Sequence, residues 1–550
     1  MAAGSFALVL HGHLPWVLHH GRWPHGEEWI FEAAAETWLP LLETVEAASA
    51  AGGRCRFTLG VSPILLEQLS QSYFADGFVS WLGAKQARAE ADALQFAGDA
   101  EMVALAERWA RRFEEQRARF VALDGDIPAA LGALWASGDI EVMGCAATHA
   151  YLPLLRTDAA CRAQIELGLR TSELHLGKRP KGFWLPECAY RPGGSWKPPV
   201  LDSGALNRAG LEELLAEAGV EWTVIDEGVL RGARSTGVVR GAGVVPVGWD
   251  QAGSEPERGW RSPCELHRVG EVTLLPRHRQ LSEQVWSARI GYPGDGRYLE
   301  FHKKQGGDGL RYWRVTSARA ELDQKVRYEP EAVAGAVYSH AQHFSMLVRS
   351  LLQGHEEATG RSGVIVAPFD AELFGHWWHE GPLWLRDVLL TLDADPDVEV
   401  ALASELDAPD KVVSLPEGSW GEGGDHRVWL NDQTKWAWEV LHRAEERLAM
   451  LVPDASSASA RETLAQAARE LLLMQSSDWP FVVTTGGAPD YGWKRFCGHA
   501  ARFDRLCDLA QDLSAGLEPD PAQKTILEES RLTDGVFDGV FAELDLSVFT

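Results

Sequence analysis

Acidic and imidazole side chains recur where short apolar runs of this chain stop. They are His11 and His13 in HGHLPW, His149 in IEVMGCAATH, Glu187 in GFWLPE, Asp226 in WTVID, and Asp370 with Glu372 in GVIVAPFDAE. An unpaired charge at a buried strand end is expensive, so Glu187 calls for a use. Phe183, Trp184 and Pro186 before it and CAYRPG after it are stiff neighbours that fix a carboxylate in one place. Asp370 sits among Phe369, Phe374, Trp377 and Trp378, an apolar setting that raises a carboxyl pKa toward what a general acid needs near neutrality. Glu372 and Glu380 are rivals within the same stretch, and spacing alone does not choose among the three. One carboxylate as nucleophile and one as acid/base, in a groove lined by indoles, suffice to break a glycosidic bond through a covalent intermediate. Release by water makes a hydrolase; release by a second sugar hydroxyl makes a transferase.

His11 and His13 are two apart, so on a strand both point the same way. That spacing suits a metal pair, and equally two imidazoles that hydrogen-bond a ligand. A metal site needs more ligands and second-shell partners; His149 and Asp370 could supply them, but nothing in the sequence demands it. The competing classes are therefore a metal-dependent carbohydrate esterase or mannosidase built on the HGH pair, and a glucan-binding protein without turnover.

What must position these groups is a set of short strands. FALVLHGH (6–13), RFTLGV (56–61), IEVMGCAATH (140–149), GFWLPE (182–187), WTVID (222–226) and GVIVAPFDAE (363–372) read as strands, with helical periodicity between several of them. Alternating strands and helices imply a parallel sheet buried on both faces, often closed as a barrel, with ligands at the C-terminal strand ends. A charged helical insertion occupies about 75–125, and a glycine- and arginine-rich excursion of loops and short strands about 227–330. VAGAVYSHAQHFSMLVRSLLQGHEEATG (333–360) predicts an amphipathic helix feeding the last strand. The barrel domain is expected over 1–400 and a helical C-terminal domain, contributing to the substrate groove, over 401–550. Trp436 and Trp438 are expected in its core, and 515–550 carries no clear pattern.

Bulk properties narrow the partners. A net charge of −27 argues against nucleic acid and anionic membranes and leaves a neutral substrate untouched. Twenty-three tryptophans against nine tyrosines suit either a large aromatic core or a groove that stacks flat sugar faces. Seven cysteines without CxxC spacing fit reduced thiols, and the N-terminus has no basic n-region and too short an apolar run for a signal peptide or membrane span. The expectation is a cytoplasmic protein; its oligomeric state is open, with a monomer compatible.

HGHLPW, EVMGCAATHAYLPLL, GFWLPECAYRPG, QVWSARIGYPGD, APFDAELFGHWWHEGP and QSSDWPF, in this order between about 5 and 510, resemble glycoside hydrolase family 57, and within it the 1,4-α-glucan branching enzymes. The resemblance implies an incomplete seven-stranded (β/α)7 TIM-like barrel with a helical C-terminal domain. It also implies retaining transfer from α-1,4 to α-1,6 linkage on an α-glucan such as amylose or a glycogen-like polymer, with no metal and no cofactor. It puts the nucleophile at Glu187 and the acid/base at Asp370. Ligand contacts would fall on Arg277, Gly294, Trp420 and Asp478, groove aromatics on Trp286 and Trp429, and the histidines around the pair on His11, His13 and His149. One departure stands out: those enzymes carry a loop tyrosine that shields the intermediate from water, and residues 191–291 here contain no tyrosine. Trp249 or Trp260 are the candidates to replace it, and hydrolysis of α-1,4 bonds is the alternative outcome.

Overall fold

Seven short strands form the centre: β1 (Gly4–Gly12), β2 (Phe57–Val61), β3 (Ile140–Cys145), β4 (Gly182–Trp184), β5 (Trp222–Ile225), β6 (Val272–Pro276) and β7 (Gly363–Asp370). In the computed structural model, which describes residues 2–22, 24–201, 204–240, 243–246 and 261–550, they pair in the order β7-β1-β2-β3-β4-β5-β6, every pair parallel. The ring closes thinly. Arg277, just past β6, makes a single parallel bridge to Val366 of β7, and the His278 N–H donates to the Val366 carbonyl at 3.0 Å. This is an incomplete (β/α)7 barrel with a seam between β6 and β7. Helices such as Val333–Thr359 and Gly381–Asp393 cover its outside.

Strand alternation explains which residues reach the site. On β1, Phe6, Leu8 and Leu10 join the outer core under the helices. Val9 points inward, where it meets Met143, Cys145, Trp184, Trp222, Val224, Leu275 and Val366. His11 continues the inward series one step above Val9. Asp370 does the same above Val366, and the β1–β7 register sets His11 directly beside Asp370. Gly60 of β2 leaves the imidazole its room, since a Cβ there would lie 2.9 Å from His11 Nδ1.

The helical insertion is the packed pair Ser72–Gln95 and Ala100–Ala122. The excursion after β5 holds short strands, as expected, but one of them, β6, is a barrel strand, beside an antiparallel partner at His267–Val269. A run of five residues is too short to announce itself by period. The helices of the C-terminal region start at Lys435; residues 401–434 instead add a strand, Lys411–Ser414, to the barrel's extended sheet, and a loop over the site. Trp438 is buried as expected, but Trp436 is 39% exposed, braced by Trp493 at 4.6 Å. Among the described residues no helix is long and apolar enough to cross a membrane.

The patternless stretch after 515 folds back as the helix Pro521–Asp534, capped by Asp520, and fastens the loop that follows β1. Asp534 is fully buried, 2.6 Å from His20 Nε2 and 2.7 Å from Arg502 Nη2. The Thr533 carbonyl accepts from Trp16 Nε1 at 2.9 Å; Arg495 donates to the Trp16 carbonyl, and Gln68 accepts from the Val17 N–H at 2.8 Å. Burial opposes the Asp534 charge, but His499, His20 and Arg502 outweigh it and hold the carboxyl below its usual range. Removing one member of a buried ion cluster strands the others. Asp534→Ala is therefore expected to cost about 3–5 kcal/mol, read as a lower urea unfolding midpoint; an unchanged midpoint would show that the cluster does not hold the loop.

Candidate active site

Glu187 follows β4 in a tight 3-10 turn, Pro186–Cys188, with φ of +63° at Glu187 and +46° at Cys188. Left-handed backbone at non-glycine residues costs on the order of 1 kcal/mol or more each and persists only where surroundings enforce it. Here they do. The Glu187 carbonyl accepts from the Trp420 N–H at 3.0 Å, Oε2 accepts from Trp420 Nε1 at 2.8 Å, and Oε1 lies 3.5 Å from the Ser477 hydroxyl. The loop carrying Trp420 is itself bridged to the turn through Tyr190 and Gly418.

Behind the carboxylate stands a ladder of flat rings. Trp184 stacks on His11 at 4.5 Å, His11 on His149 at 5.0 Å, and His149 on His13 at 3.9 Å. His149, also at positive φ (+55°), places Nδ1 2.8 Å from Ser477 Oγ and 3.9 Å from Glu187 Oε1. Its Nε2 meets His11 Nε2 at 3.0 Å, so one ring donates and the other accepts. Burial first, then the neighbouring imidazoles, push both pKa values well below the ordinary histidine range. His13 hydrogen-bonds Ser62 Oγ at 2.8 Å and Asp478 Oδ2 at 2.6 Å, and the Ser476 hydroxyl donates to the same carboxylate oxygen at 2.6 Å.

These donors also meet the bare proximity needed for a metal: His13, His149 and Asp478 form one set with ligand atoms within 4.8 Å, and His11, Cys145 and His149 another. The set proposed from sequence, with Asp370 as fourth ligand, is not the one brought together. Ligation needs the ion in the plane of each imidazole. His13 and His149 lie only 11° from parallel, so their lone pairs run side by side and do not converge.

Asp370 ends β7, on the strand next to His11 of this ladder. Burial raises its carboxyl to about 7, with Arg277 pulling the other way. Burial likewise raises Glu187 to about 8; its bond from Trp420 works against that shift, and the Asp370 charge adds to it. Arg277 lies 3.1 Å from Asp226 and 5.6 Å over the Trp420 ring. The structure also sorts the rivals. Glu380 precedes the helix Gly381–Asp393, and its carboxylate accepts from the Tyr328 hydroxyl at 2.6 Å and the Leu299 N–H at 3.1 Å, a structural post. Glu372 stays close, its pKa raised well above normal by burial and by Asp370, with Oε1 unpartnered.

The sequence-derived set thus divides. His11, His13, His149, Glu187, Asp370, Arg277, Trp420 and Asp478 gather around one centre. Trp286 is 43% exposed at the end of the helix Arg279–Trp286, and Gly294 lies exposed in open space. Trp429 is a correction: it is 1% exposed, stacked on Tyr151 at 4.4 Å, so it backs the wall and offers no ring face to a groove. Trp377, expected among the apolar neighbours of Asp370, is instead exposed. Ser62, Ser476 and Ser477 were missed, since serine near a turn carries no chemical signal. Trp249 and Trp260 lie outside the described residues.

A parallel barrel with buried carboxyls, imidazoles and indoles on one rim defines a carbohydrate-active enzyme of the glycosidase type. The chain belongs to glycosyl hydrolase family 57, whose model matches residues 7–406, while a model described as 1,4-alpha-glucan branching enzyme, C-terminal, matches 440–549. It is 40% identical over 519 residues to a 1,4-alpha-glucan branching enzyme of Thermococcus kodakarensis, covering 92% of this chain and 73% of that one. Among solved structures, a GH57-type branching enzyme from Pyrococcus horikoshii superposes with a TM-score of 0.89 at 35% identity, covering 100% of this chain and 97% of the other. The α-amylase AmyC from Thermotoga maritima gives 0.82 at 29% identity, covering 99% of each.

The raised pKa of Glu187 has a sign that can be tested. The folded site keeps the proton more tightly than the unfolded chain, so this group's contribution to stability is full below pH 4.5 and is lost as pH rises toward about 8. Glu187→Gln removes that loss. The variant is expected to be more stable than the wild type at pH 8, by roughly 4 kcal/mol, with the gain fading toward pH 4; a variant equally stable at both would refute the burial argument.

Proposed function

We propose that the protein is a 1,4-α-glucan branching enzyme in which Glu187 is the nucleophile and Asp370 the acid/base. The observation that carries this is the pairing of two buried, proton-retaining carboxyls on one barrel rim, only one of which receives hydrogen-bond donors among the described residues. In the unliganded pair Asp370 releases its proton near 7 and Glu187 near 8, so the productive form, with the charge on Glu187 and the proton on Asp370, is the minor singly charged form. The Trp420 indole N–H and Ser477 O–H, which donate to Glu187, stabilise it. Asp370 then protonates the α-1,4 glycosidic oxygen as Glu187 attacks the anomeric carbon, giving a glycosyl ester. Asp370, now ionised, takes the proton from the C6 hydroxyl of an acceptor glucan, which displaces Glu187 and forms the α-1,6 bond with overall retention. Trp420, Arg277, Asp478 and the histidine ladder orient the sugar at the cleavage point; Trp286 and Gly294 are outer contacts, and Trp429 supports the wall. The substrate is a neutral α-glucan, needing neither metal nor cofactor. The free cysteines, six of seven buried, accord with a reducing cytoplasm.

A second reading, α-1,4-glucan hydrolysis, is favoured by the absence of tyrosine between 191 and 291 and by the likeness to an amylase structure. Amylose separates the two. Branching lowers iodine absorbance with little gain in reducing ends and creates chains that isoamylase releases; hydrolysis yields reducing ends and nothing for isoamylase.

Glu187→Gln is expected to keep glucan affinity and lose about 10³-fold or more in kcat. Survival of wild-type turnover in that variant would end the proposal, as would loss of activity on exhaustive chelation.

The active form carries one proton on the pair. kcat/KM should therefore be bell-shaped, rising as the first proton leaves near 7 and falling as the second leaves near 8. A flat profile down to pH 5 would contradict the assignment.

A further inference from the structure

The loop that leaves Asp370 carries an aromatic ring that the mechanism leaves unused. Trp377 is 52% exposed, and its N–H donates to the Glu372 carbonyl at 3.1 Å, which holds it on the same rim as the acid pair. Exposed tryptophans are ordinary; braced ones are less so. Phe301 lies against this indole at 4.5 Å and 34°. His376 stands edge-on to both rings, 5.3 Å from Phe301 and 5.1 Å from Trp377, and the Arg311 guanidinium sits 5.5 Å from the Phe301 ring centre.

One carboxylate organises the braces. Glu36 pairs with Arg311 through one oxygen and bonds His376 Nδ1 at 2.6 Å through the other, while Arg311 also donates to the His376 carbonyl at 3.2 Å. Burial disfavours the Glu36 charge, yet Arg311 and His376 prevail and keep it ionised. Glu36 lies in a π-helical turn, Ala34–Trp38, inserted in the helical run Glu27–Ala50; such turns are rare and gather at functional sites. Gly375, at φ +114°, presses against this turn so closely that a Cβ would collide with the Glu36 carbonyl. A helix irregularity, a glycine at positive φ in close backbone contact and a part-buried Glu36–Arg311–His376 cluster thus converge on holding one half-exposed indole still.

We propose that the Phe301–Trp377 pair, fixed by Glu36 through Arg311 and His376, is an outer binding subsite on which an α-glucan ring stacks. A rigid, flat apolar face beside polar groups matches the apolar face and hydroxyl rim of a glucose unit, and a neutral polymer is not repelled by the acidic surface. The inference rests on the α-glucan reading above. It adds that the chain is gripped beyond the cleavage point by the loop that also presents Asp370.

The test uses full-length protein with Glu187→Gln, so that maltoheptaose binds without turnover, and titration calorimetry as the readout. Adding Trp377→Ala is expected to weaken affinity about 3–10-fold, and Trp377→Phe to restore most of it. Glu36→Gln should weaken binding while Trp377 is present and add nothing once it is alanine, which a purely structural role would not produce. Equal affinity with and without the indole would overturn the subsite. If Glu187→Gln alone binds no maltoheptaose, the glucan reading fails and takes the subsite with it.

Discussion

A carboxyl group taken out of water holds on to its proton unless the protein replaces the solvent it lost, and here three such groups, Glu187, Asp370 and Glu372, share one barrel rim. The rest of the centre answers that constraint. His11 and His149, whose pKa values burial holds well below the histidine range, pack beside Glu187 in place of cations, so the acids are not simply paired off and silenced. Donors are rationed: an indole N–H and a serine hydroxyl reach Glu187, and Arg277 is diverted to Asp226. Three left-handed residues, His149, Glu187 and Cys188, mark where the backbone gave way so that these contacts could be made.

No single element supplies this environment. The turn after β4 delivers the carboxylate, the ends of β1 and β4 and the loops after β1 and β3 deliver the rings, and segments beyond the barrel deliver Trp420, Ser477 and Asp478. Secondary structure brings chemistry to the rim, but only long-range packing makes the rim dry. The thin closure between β6 and β7 fits this division, since helices and loops, more than the strand ladder, seal that side.

Much of the scaffold was legible because strand periodicity is local. A polar residue ending an alternating apolar run must lie at a strand's end and on a definite face, which is how His11, Glu187 and Asp370 could be picked out. β6 escaped because five residues inside a hairpin-rich stretch have no usable period. The tail helix ending at Asp534 escaped because what makes it matter is a partner hundreds of residues away. Aromatic residues were the least legible: hydrophobicity says that a ring seeks cover, not which ring finds it, and so Trp429 and Trp377 exchanged their expected places. Choosing Asp370 over Glu372 came from family likeness and never from spacing.

The clamp between Asp534 and the loop after β1 has a consequence for how the protein is made. The first barrel strand leaves the ribosome long before its fastening does, so His13 cannot settle against Asp478, nor His20 against its acid, until nearly everything described here has been translated. A half-synthesised chain would hold its nucleophile in an open, wet and untuned setting. Catalytic competence therefore arrives late, as a by-product of finishing the molecule.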